Sequence, residues 1–191
     1  MTTTRQLIIE KTSELLDRQG YAATGLNQIV AASETPRGSL YYYFPAGKEE
    51  LAAEAIGYKA RQLSEHERRS LTANDDAVEA IYRFVLSLAD QAESQRCTAG
   101  APIAAVALET STTHERLQQA CQAAYKLLQE PFEEKLLVGG FAPARAHALA
   151  VTISATLEGG FVLSRTEHTS QPLRIIAEEL RQLLLCAGNA A

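Results

Sequence analysis

Residues 24–51 constrain the fold of this chain more than any other stretch, because they read as two short helices in close succession. The first helix has apolar residues at the i, i+3, i+4 spacing of one buried face: Leu26, Ile29 and Val30. A short polar connection follows, in which Thr35 can cap a new helix and Pro36 suits its first position, where no N–H is needed. Two helices joined by a turn of about three or four residues predict a helix-turn-helix, whose second helix reads the major groove of DNA.

The outer residues of this second helix, which runs from about residue 36 to residue 42, suit contact with DNA. Arg37 can form paired hydrogen bonds with guanine or phosphate, and Ser39 can donate to either a base or a phosphate. Gly38 costs about 1 kcal/mol in a helix relative to Ala, which suggests a steric reason for its lack of a side chain. Tyr42 and Tyr43 carry hydroxyls on rigid side chains, which suits phosphate contacts that fix register.

A longer helix is predicted to begin at Lys48, after the break Pro45-Ala46-Gly47. There the charge of Lys48 and the free N–H groups of the helix both favour a phosphate. The stretch G-Y-x-x-T-x-L-x-x-I, followed by P-R-G-S-L-Y-Y-Y-F-P-x-G-K-E-E-L, resembles the DNA-binding domain of TetR-family transcriptional repressors. A second run, C-T-A-G-A-P-I-A-A-V-A-L-E from Cys97 to Glu109, is similar to the LmrA/YxaF-like branch of that family.

The resemblance implies a repressor that binds double-stranded operator DNA. The residues expected to bind DNA are Thr24, Gly25, Thr35, Pro36, Arg37, Gly38, Ser39, Tyr42, Tyr43 and Lys48. Within this set, Arg37 and Ser39 are expected to touch bases, whereas phosphates are expected to be held by Thr24, Tyr42, Tyr43 and Lys48. Three positions depart from the family pattern: Glu34 replaces a turn glycine, Gly25 replaces a capping Ser or Thr, and Tyr43 replaces a frequent His.

The remainder of the chain reads as further helices, and no strand pattern is present. The 191 residues are 46% hydrophobic and 21% charged, which is ordinary for a globular protein. We expect an all-α protein with an N-terminal three-helix DNA-binding domain over residues 1–47 and a C-terminal helical domain for ligand binding and dimerisation over residues 48–191. The net charge of −5 argues against a uniformly basic nucleic-acid binder. Specific binding would need two DNA-binding heads, because one head makes few phosphate contacts.

The last two helices have more apolar residues than one buried face requires, which favours a self-complementary dimer surface built from two helices of each subunit. The candidate residues are Ala155, Gly159, Ile176, Leu180, Leu183 and Leu184. The alternative is that both helices are simply central core helices. The family resemblance also implies a homodimer, and a two-fold dimer would present two heads to half-sites about one helical turn apart.

The region between residues 75 and 161 is where relatives enclose a small-molecule effector. Candidate lining residues are Tyr82, Phe84, Leu88, Ile103, Leu108, Tyr125, Phe132 and Phe161, each of which could instead be ordinary core. Glu109 and Glu158 are either polar anchors for such a ligand or surface residues. The charged end of the long helix, with Glu65, Glu67, Arg68 and Arg69, is predicted to be a solvated face, the alternative being a phosphate-binding patch.

No catalytic or metal-binding pattern is present in the sequence. Gly47-Lys48 lacks the rest of a phosphate loop, and neither a G-x-S-x-G nor a dinucleotide motif occurs. The four histidines lie in separate contexts, without the spacing of a zinc site. We therefore expect neither an enzyme nor a cofactor.

Three widely spaced cysteines indicate reduced thiols in the cytoplasm, because an odd number does not suit a disulfide framework. The N-terminus lacks the features of a signal peptide, and residues 148–163 look too short and too polar to span a bilayer, so no membrane partner is expected. Two alternatives stay open. One is a redox-responsive regulator that uses Cys97 or Cys121. The other is a helical interaction protein that has no effector and has lost DNA binding.

Overall fold

The computed structural model describes residues 3–97 and 102–188, which form nine α-helices and no strand. In chain order the helices are α1 Thr4–Gln19, α2 Leu26–Ser33, α3 Arg37–Tyr43, α4 Lys48–Leu71, α5 Ala77–Ser94, α6 Pro102–Thr110, α7 Glu115–Val138, α8 Pro143–Glu167 and α9 Gln171–Gly188. The predicted all-α class is confirmed. Residues 98–101, which belong to the motif that begins at Cys97, lie outside the described residues.

The backbone divides into two compact units. The first comprises Met1–Gln62 and Pro102–Tyr125, so α6 and the first half of α7 belong with α1, α2 and α3. The second comprises Leu63–Ala101 and Lys126–Ala191. The predicted boundary between residues 47 and 48 divides the chain by function, and it stays a prediction.

In the first unit, α1 packs against α2, α3 and α6. Its start is capped by Thr3, whose hydroxyl accepts a hydrogen bond from Gln6 N–H at 3.2 Å. Its end is set by Gly20, whose φ of +75° favours glycine. The unit closes around fully buried apolar side chains, which include Ile8, Ile29, Leu40, Phe44, Leu51 and Leu117.

The connection between α2 and α3 differs from the sequence prediction at Thr35. Pro36 occupies the N-cap position of α3, and Thr35 does not cap the helix. The Ser33 hydroxyl donates to Ile29 O at 2.8 Å, so the Thr35 hydroxyl is the donor in its 2.8 Å hydrogen bond with the Ser33 hydroxyl. Both side chains are buried, and their hydrogen bonds link the end of α2 to the residue before α3.

In the second unit, α9 packs against α5 and α8 around a continuous apolar core. The core includes Ile81, Phe84, Phe132, Leu149, Ile153, Leu173 and Leu180. Gly160 allows α8 to approach α9 closely, because a Cβ at this position would lie 2.7 Å from Ile176 Cδ1 and 2.7 Å from Leu173 Cδ2. Gly159, its neighbour, faces open space.

Helix α8 is 25 residues long and, by length and composition alone, apolar enough to cross a membrane. The sequence argument that this stretch is too short and too polar therefore does not hold. Part of its apolar character serves the core, where Leu149, Ile153 and Leu157 are buried. Such core helices pass the same test of length and composition, so the test alone does not indicate a membrane span.

Glu34 adopts a left-handed backbone at the end of α2, with φ +51° and ψ +32°. This conformation costs a residue with a Cβ about 1–2 kcal/mol, whereas glycine adopts it freely. Replacing Glu34 by Gly is expected to raise the free energy of unfolding by about 0.5–1 kcal/mol, after the greater entropy of glycine in the unfolded chain is deducted. Urea unfolding measures the change.

The matched control is Glu34→Ala, which removes the carboxylate and keeps the Cβ. This variant should show no gain in stability. Equal stabilisation by both substitutions would mean that loss of the carboxylate, and not relief of backbone strain, is responsible.

Candidate DNA-binding surface

Helix α3 is fixed from one side by two residues that are 0% exposed, Leu40 and Phe44. Phe44 N–H donates to Leu40 O at 2.8 Å. The chain then turns at Gly47, whose φ is +78° and whose N–H donates to Phe44 O at 2.9 Å. Because the anchoring residues lie on one side of α3, the opposite side faces outward.

The outer face of α3 comprises five exposed residues: Pro36, Arg37, Gly38, Tyr41 and Tyr42. The Arg37 guanidinium carbon lies 5.9 Å from the Tyr41 ring centroid, and Arg37 has no acidic partner among residues 3–97 and 102–188. Tyr42 is 79% exposed, and its ring meets the half-buried Tyr43 edge to face at 5.0 Å. Tyr41 is not among the residues predicted from the sequence to bind DNA, although its i, i+4 spacing from Arg37 is the signal for this contact.

Gly38 has no steric role in the fold of the protomer. A Cβ built at this position meets no atom within 4 Å. The chain therefore tolerates a larger residue here, although glycine is unfavourable in a helix. The absence of a side chain leaves the backbone of α3 open to close approach from outside.

Two further residues predicted to bind DNA, Thr24 and Gly25, make hydrogen bonds within the protein. Thr24 is 1% exposed, and its hydroxyl donates to Gly20 O at 2.6 Å, so its predicted role as an open phosphate donor is wrong. Gly25 caps α2 and donates its N–H to Gln28 Oε1 at 2.9 Å. Thr24 and Thr35 are buried, whereas Gly25 and Ser39 are half-buried.

Lys48 lies over an aromatic ring, with Nζ 4.1 Å from the Tyr21 ring centroid. Burial lowers the pKa of Lys48, and the carboxylate of Glu109 opposes that shift. Sequence analysis placed this lysine at a helix start but gave no sign of its partner. A phosphate contact of Lys48 stays a prediction.

Three other cations of the first unit are paired with acids. Three ion pairs do this: Arg5 with Glu54 at 2.9 Å, Lys11 with Glu14 at 2.8 Å, and Lys59 with Asp17 at 2.5 Å. The acid in each pair offsets the charge of its cation, so the first unit attracts DNA less strongly than a count of its basic residues suggests. Neutral hydrogen-bond donors, such as the tyrosine hydroxyls of α3, are therefore important for the polar contacts that this surface can make.

The eight predicted pocket residues are divided between the two units, and their role as a pocket stays a prediction. Three of them belong to the first unit, where Ile103 is 2% exposed and Leu108 is 85% exposed. The third of these is Tyr125, which is half-buried. An exposed leucine on a short apolar helix carries no sequence signal that separates it from a buried one.

The other five pocket residues lie in the second unit: Tyr82, Phe84, Leu88, Phe132 and Phe161. Phe84 and Phe132 are core residues, 3% and 1% exposed, with ring centroids 5.7 Å apart. Tyr82 instead donates its hydroxyl to Glu178 Oε1 at 2.5 Å. Leu88 and Phe161 pack partly buried against the same core.

A poorly solvated carboxylate in the second unit was missed by sequence analysis. Oε2 of Glu67 is buried and has no hydrogen-bond partner in the described part of the chain. Burial raises the pKa of Glu67 to about 8, with Arg68 opposing the shift and the Glu158 carboxylate adding to it. The predicted solvated face is therefore wrong at Glu67, which carries a proton at neutral pH. Its neighbour His66 lies with its ring 6.2 Å from that of Phe84.

A cavity of about 460 Å³ opens at the turn between α7 and α8. Its lining includes Phe141, Arg145, Leu183 and Cys186, and none of the predicted pocket residues. Among the described residues, no group of three or more His, Cys, Asp or Glu is placed to hold a metal ion.

The cysteines differ in exposure. Cys97 and Cys121 are each 4% exposed, whereas Cys186 is exposed. Burial raises the pKa of Cys121 to about 11, which keeps the thiol protonated at neutral pH. Because the thiolate is the reactive form, this environment works against a redox role for Cys121.

The predicted dimer residues separate into a buried set and an exposed set. Leu180 and Leu184 are 3% and 0% exposed within the protomer, so their assignment to a dimer surface is wrong. Ile176 packs partly buried against the same core. Ala155, Gly159 and Leu183 are exposed.

Exposed apolar residues also form a line on α8 that sequence analysis did not isolate. Val151, Ala155, Gly159 and Val162, named here the α8 stripe, follow i, i+4, i+8, i+11 spacing. Val151 is 40% exposed and Val162 is 54% exposed, and on α9 Ile175 is 53% exposed. Sequence periodicity could not separate this face from the buried one, because α8 is apolar on both sides.

The fold and the outer face of α3 define a helix-turn-helix DNA-binding transcriptional regulator. The model of the bacterial regulatory proteins of the tetR family matches residues 8–55, and that of the transcriptional regulator LmrA/YxaF-like C-terminal domain matches residues 77–179. The chain belongs to the TetR family, with a C-terminal domain of the LmrA/YxaF-like type. Both sequence resemblances are thereby confirmed.

Relatives match over almost the whole chain. The uncharacterized HTH-type transcriptional regulator YxaF of Bacillus subtilis (strain 168) is 39% identical over 184 residues, which cover 96% of each chain. The HTH-type transcriptional regulator LmrA of the same organism is 38% identical, over 94% of this chain and 96% of its own. A cysteine mutant of the TetR-family regulator CifR, solved with 26-bp double-strand operator DNA, has a TM-score of 0.76 at 20% identity, over 92% and 93% of the two chains.

The Glu67 carboxyl generates a testable pH dependence. Its folded pKa of about 8 lies above the ordinary pKa of a glutamate carboxyl, 4.5, so its contribution to stability is full below pH 4.5 and is lost as the pH rises toward 8. Glu67→Gln cannot titrate. The free energy of unfolding of Glu67→Gln, relative to that of wild type, should therefore increase by up to about 1.4 kcal/mol for each pH unit between pH 4.5 and 8.

Urea unfolding at pH 5, 6.5 and 8 measures this gain. Glu65→Gln, which alters an exposed carboxylate two residues earlier on α4, should give a constant difference from wild type. A constant difference for Glu67→Gln as well would show that Glu67 titrates normally in the folded protein.

Proposed function

We propose that this regulator is a homodimeric repressor, and that a small hydrophobic or amphipathic effector releases it from operator DNA. Each subunit presents α3 to one half-site, and two heads about one helical turn apart fit successive major grooves. The effector binds better to a dimer with a different head spacing, so operator affinity falls when it binds. The protein acts on DNA in the cytoplasm, and its relatives form a class of regulators that are not enzymes.

The outer face of α3 is the observation that carries the DNA-binding role. Arg37 lies exposed beside the open backbone of Gly38, and Gly38 lies on the side of α3 opposite the buried Leu40. An arginine fork can read guanine O6 and N7 when the helix backbone comes close to the groove. In the proposed complex Arg37 and Ser39 contact bases, and phosphates are held by Tyr42, Tyr43 and Lys48.

The α8 stripe supports the dimer. The stripe has exposed valines on either side of Gly159, which has no side chain and no atom of the protomer within 4 Å of a Cβ built there. Another helix can therefore approach this surface closely. Helix α9 also carries exposed apolar residues, including Ile175 and Leu183. A surface built from two helices of each copy meets the requirement for a self-complementary two-fold contact.

Fluorescence anisotropy tests the DNA-binding role. Labelled DNA from upstream of the gene for this protein is titrated at moderate salt against scrambled competitor. Nanomolar binding that resists competitor and requires a palindrome is the expected result. If binding is no tighter than to scrambled DNA, selection from a random library decides between another operator and a protein that has lost DNA binding.

Gly38→Ala should separate folding from DNA recognition. The added methyl group meets nothing in the protomer and improves helix propensity, so the free energy of unfolding should rise by about 0.5–1 kcal/mol. Operator binding should weaken by about 1–3 kcal/mol, the scale of an over-packed contact. Unfolding and anisotropy measurements on one preparation record both changes.

The matched control is Gly57→Ala in α4, where an added Cβ meets only the end of the Arg61 side chain at 3.3 Å. It should gain stability and leave operator binding unchanged. Wild-type operator affinity in Gly38→Ala would contradict close approach of the α3 backbone to DNA.

Val162→Glu should dissociate the dimer, because it places an unpaired charge in the proposed contact between copies. Sedimentation equilibrium measures the effect as a shift from dimer to monomer. Val138→Glu is the control, since Val138 is 82% exposed at the end of α7 and lies off the α8 stripe. If both variants remain dimeric, the α8 stripe is not the dimer surface.

A further inference from the structure

Glu109, in the last turn of α6, contacts the turn between α1 and α2. Its Oε2 accepts a hydrogen bond from Ala22 N–H at 2.8 Å, although 87 positions separate the two residues in sequence. Both residues belong to the first unit. The sequence allows Glu109 to be a ligand anchor or a surface residue, and the structure gives its carboxylate a partner within the protein.

The carboxylate of Glu109 also occupies the space beside Gly20. A Cβ at Gly20 would lie 2.1 Å from Glu109 Oε1 and 3.0 Å from Glu109 Cδ. Gly20 ends α1, with φ +75° and its N–H donating to Leu16 O at 2.9 Å. A glycine at this position therefore serves both the left-handed turn and the approach of α6.

A hydrogen-bond network extends from this turn into α2. Its members are Thr24 Oγ1 to Gly20 O at 2.6 Å, Gln19 Nε2 to Ala23 O at 2.8 Å, and Gly25 N–H to Gln28 Oε1 at 2.9 Å. Gln19 Nε2 also lies 3.1 Å from Gln28 Oε1. Through these bonds, the position of the turn sets the start of the helix-turn-helix.

Tyr21 connects the same turn to the segment that follows α3. Lys48 Nζ lies 4.1 Å from the Tyr21 ring centroid at the start of α4. The ring also meets His114 edge to face, with centroids 5.2 Å apart. The turn held by Glu109 is therefore tied to the chain on both sides of α2 and α3.

We infer that Glu109 is a positioning residue for operator binding, which holds the α1–α2 turn in the conformation that presents α3 to DNA. The inference rests on the proposed operator binding. Loss of a negative charge alone should strengthen attraction between the first unit and phosphates. Loss of a positioning contact should weaken operator binding, so the two effects have opposite signs.

Glu109→Ala in the full-length protein tests this role by anisotropy. We expect operator Kd to rise about tenfold, the equivalent of about 1.4 kcal/mol and the scale of one hydrogen bond. Glu109→Gln should recover most of the affinity, because its amide oxygen can accept from Ala22 N–H. Glu115→Ala removes the same charge from exposed α7 in the same unit, and should bind DNA as tightly as wild type or slightly more tightly.

Hydrogen exchange at the Ala22 amide gives a readout that does not require DNA. Exchange should accelerate in Glu109→Ala and stay close to wild type in Glu109→Gln and Glu115→Ala. Wild-type protein that fails to bind any operator would overturn the proposed function, whereas unchanged Ala22 exchange in Glu109→Ala would overturn this inference. Faster exchange with wild-type operator affinity would also overturn it, since Glu109 would then only stabilise the turn.

Gly20→Ala is a second substitution that tests the contact between Gly20 and the Glu109 carboxylate independently. In the wild-type background it introduces both backbone strain and a clash with the Glu109 carboxylate. In the Glu109→Ala background only the strain remains, so Gly20→Ala should raise operator Kd by a smaller factor there. Equal factors in the two backgrounds would contradict the close contact.

Discussion

The direction of α3 depends on the burial of Leu40 and Phe44 in the first unit. A seven-residue helix is not stable alone, because nucleation removes more freedom than so few hydrogen bonds offset. Each buried side chain of this size contributes about 1.5–3 kcal/mol, which is enough to fix the helix against α1. Every residue on the outer face, including Arg37 and Tyr42, takes its direction from that anchor.

The same division into an anchored face and an outward face recurs in α8 and α9. Leu149 and Ile153 pack into the core, while Val151 and Val162 on α8 remain exposed. An apolar residue therefore has two possible uses in one helix, and its type does not distinguish them. This double use explains why α8 has the composition of a membrane span and why its apolar character extends beyond the core.

Local signals predicted the motif well and its polar contacts less well. The spacing of Leu26 and Ile29 and the start signal at Pro36 act within one or two turns, so they can be read from the sequence. Short hydroxyl side chains near helix ends can bond to neighbouring backbone and to each other as readily as to a ligand, and Thr24 and Thr35 do so here. Lys48 lies over the ring of Tyr21, a contact that no local sequence pattern indicates.

By itself the sequence determined the all-helical class, the helix-turn-helix and the outward position of Arg37 and Gly38, because these follow from residues within a few positions of one another. Only the tertiary structure decided that Oε2 of Glu67 is buried, that Leu184 faces the core and that Glu109 accepts a hydrogen bond from Ala22. Burial and pairing of these residues depend on chain segments tens of positions away. The burial of apolar residues also depends on which of two similar apolar faces of a helix packs into the core.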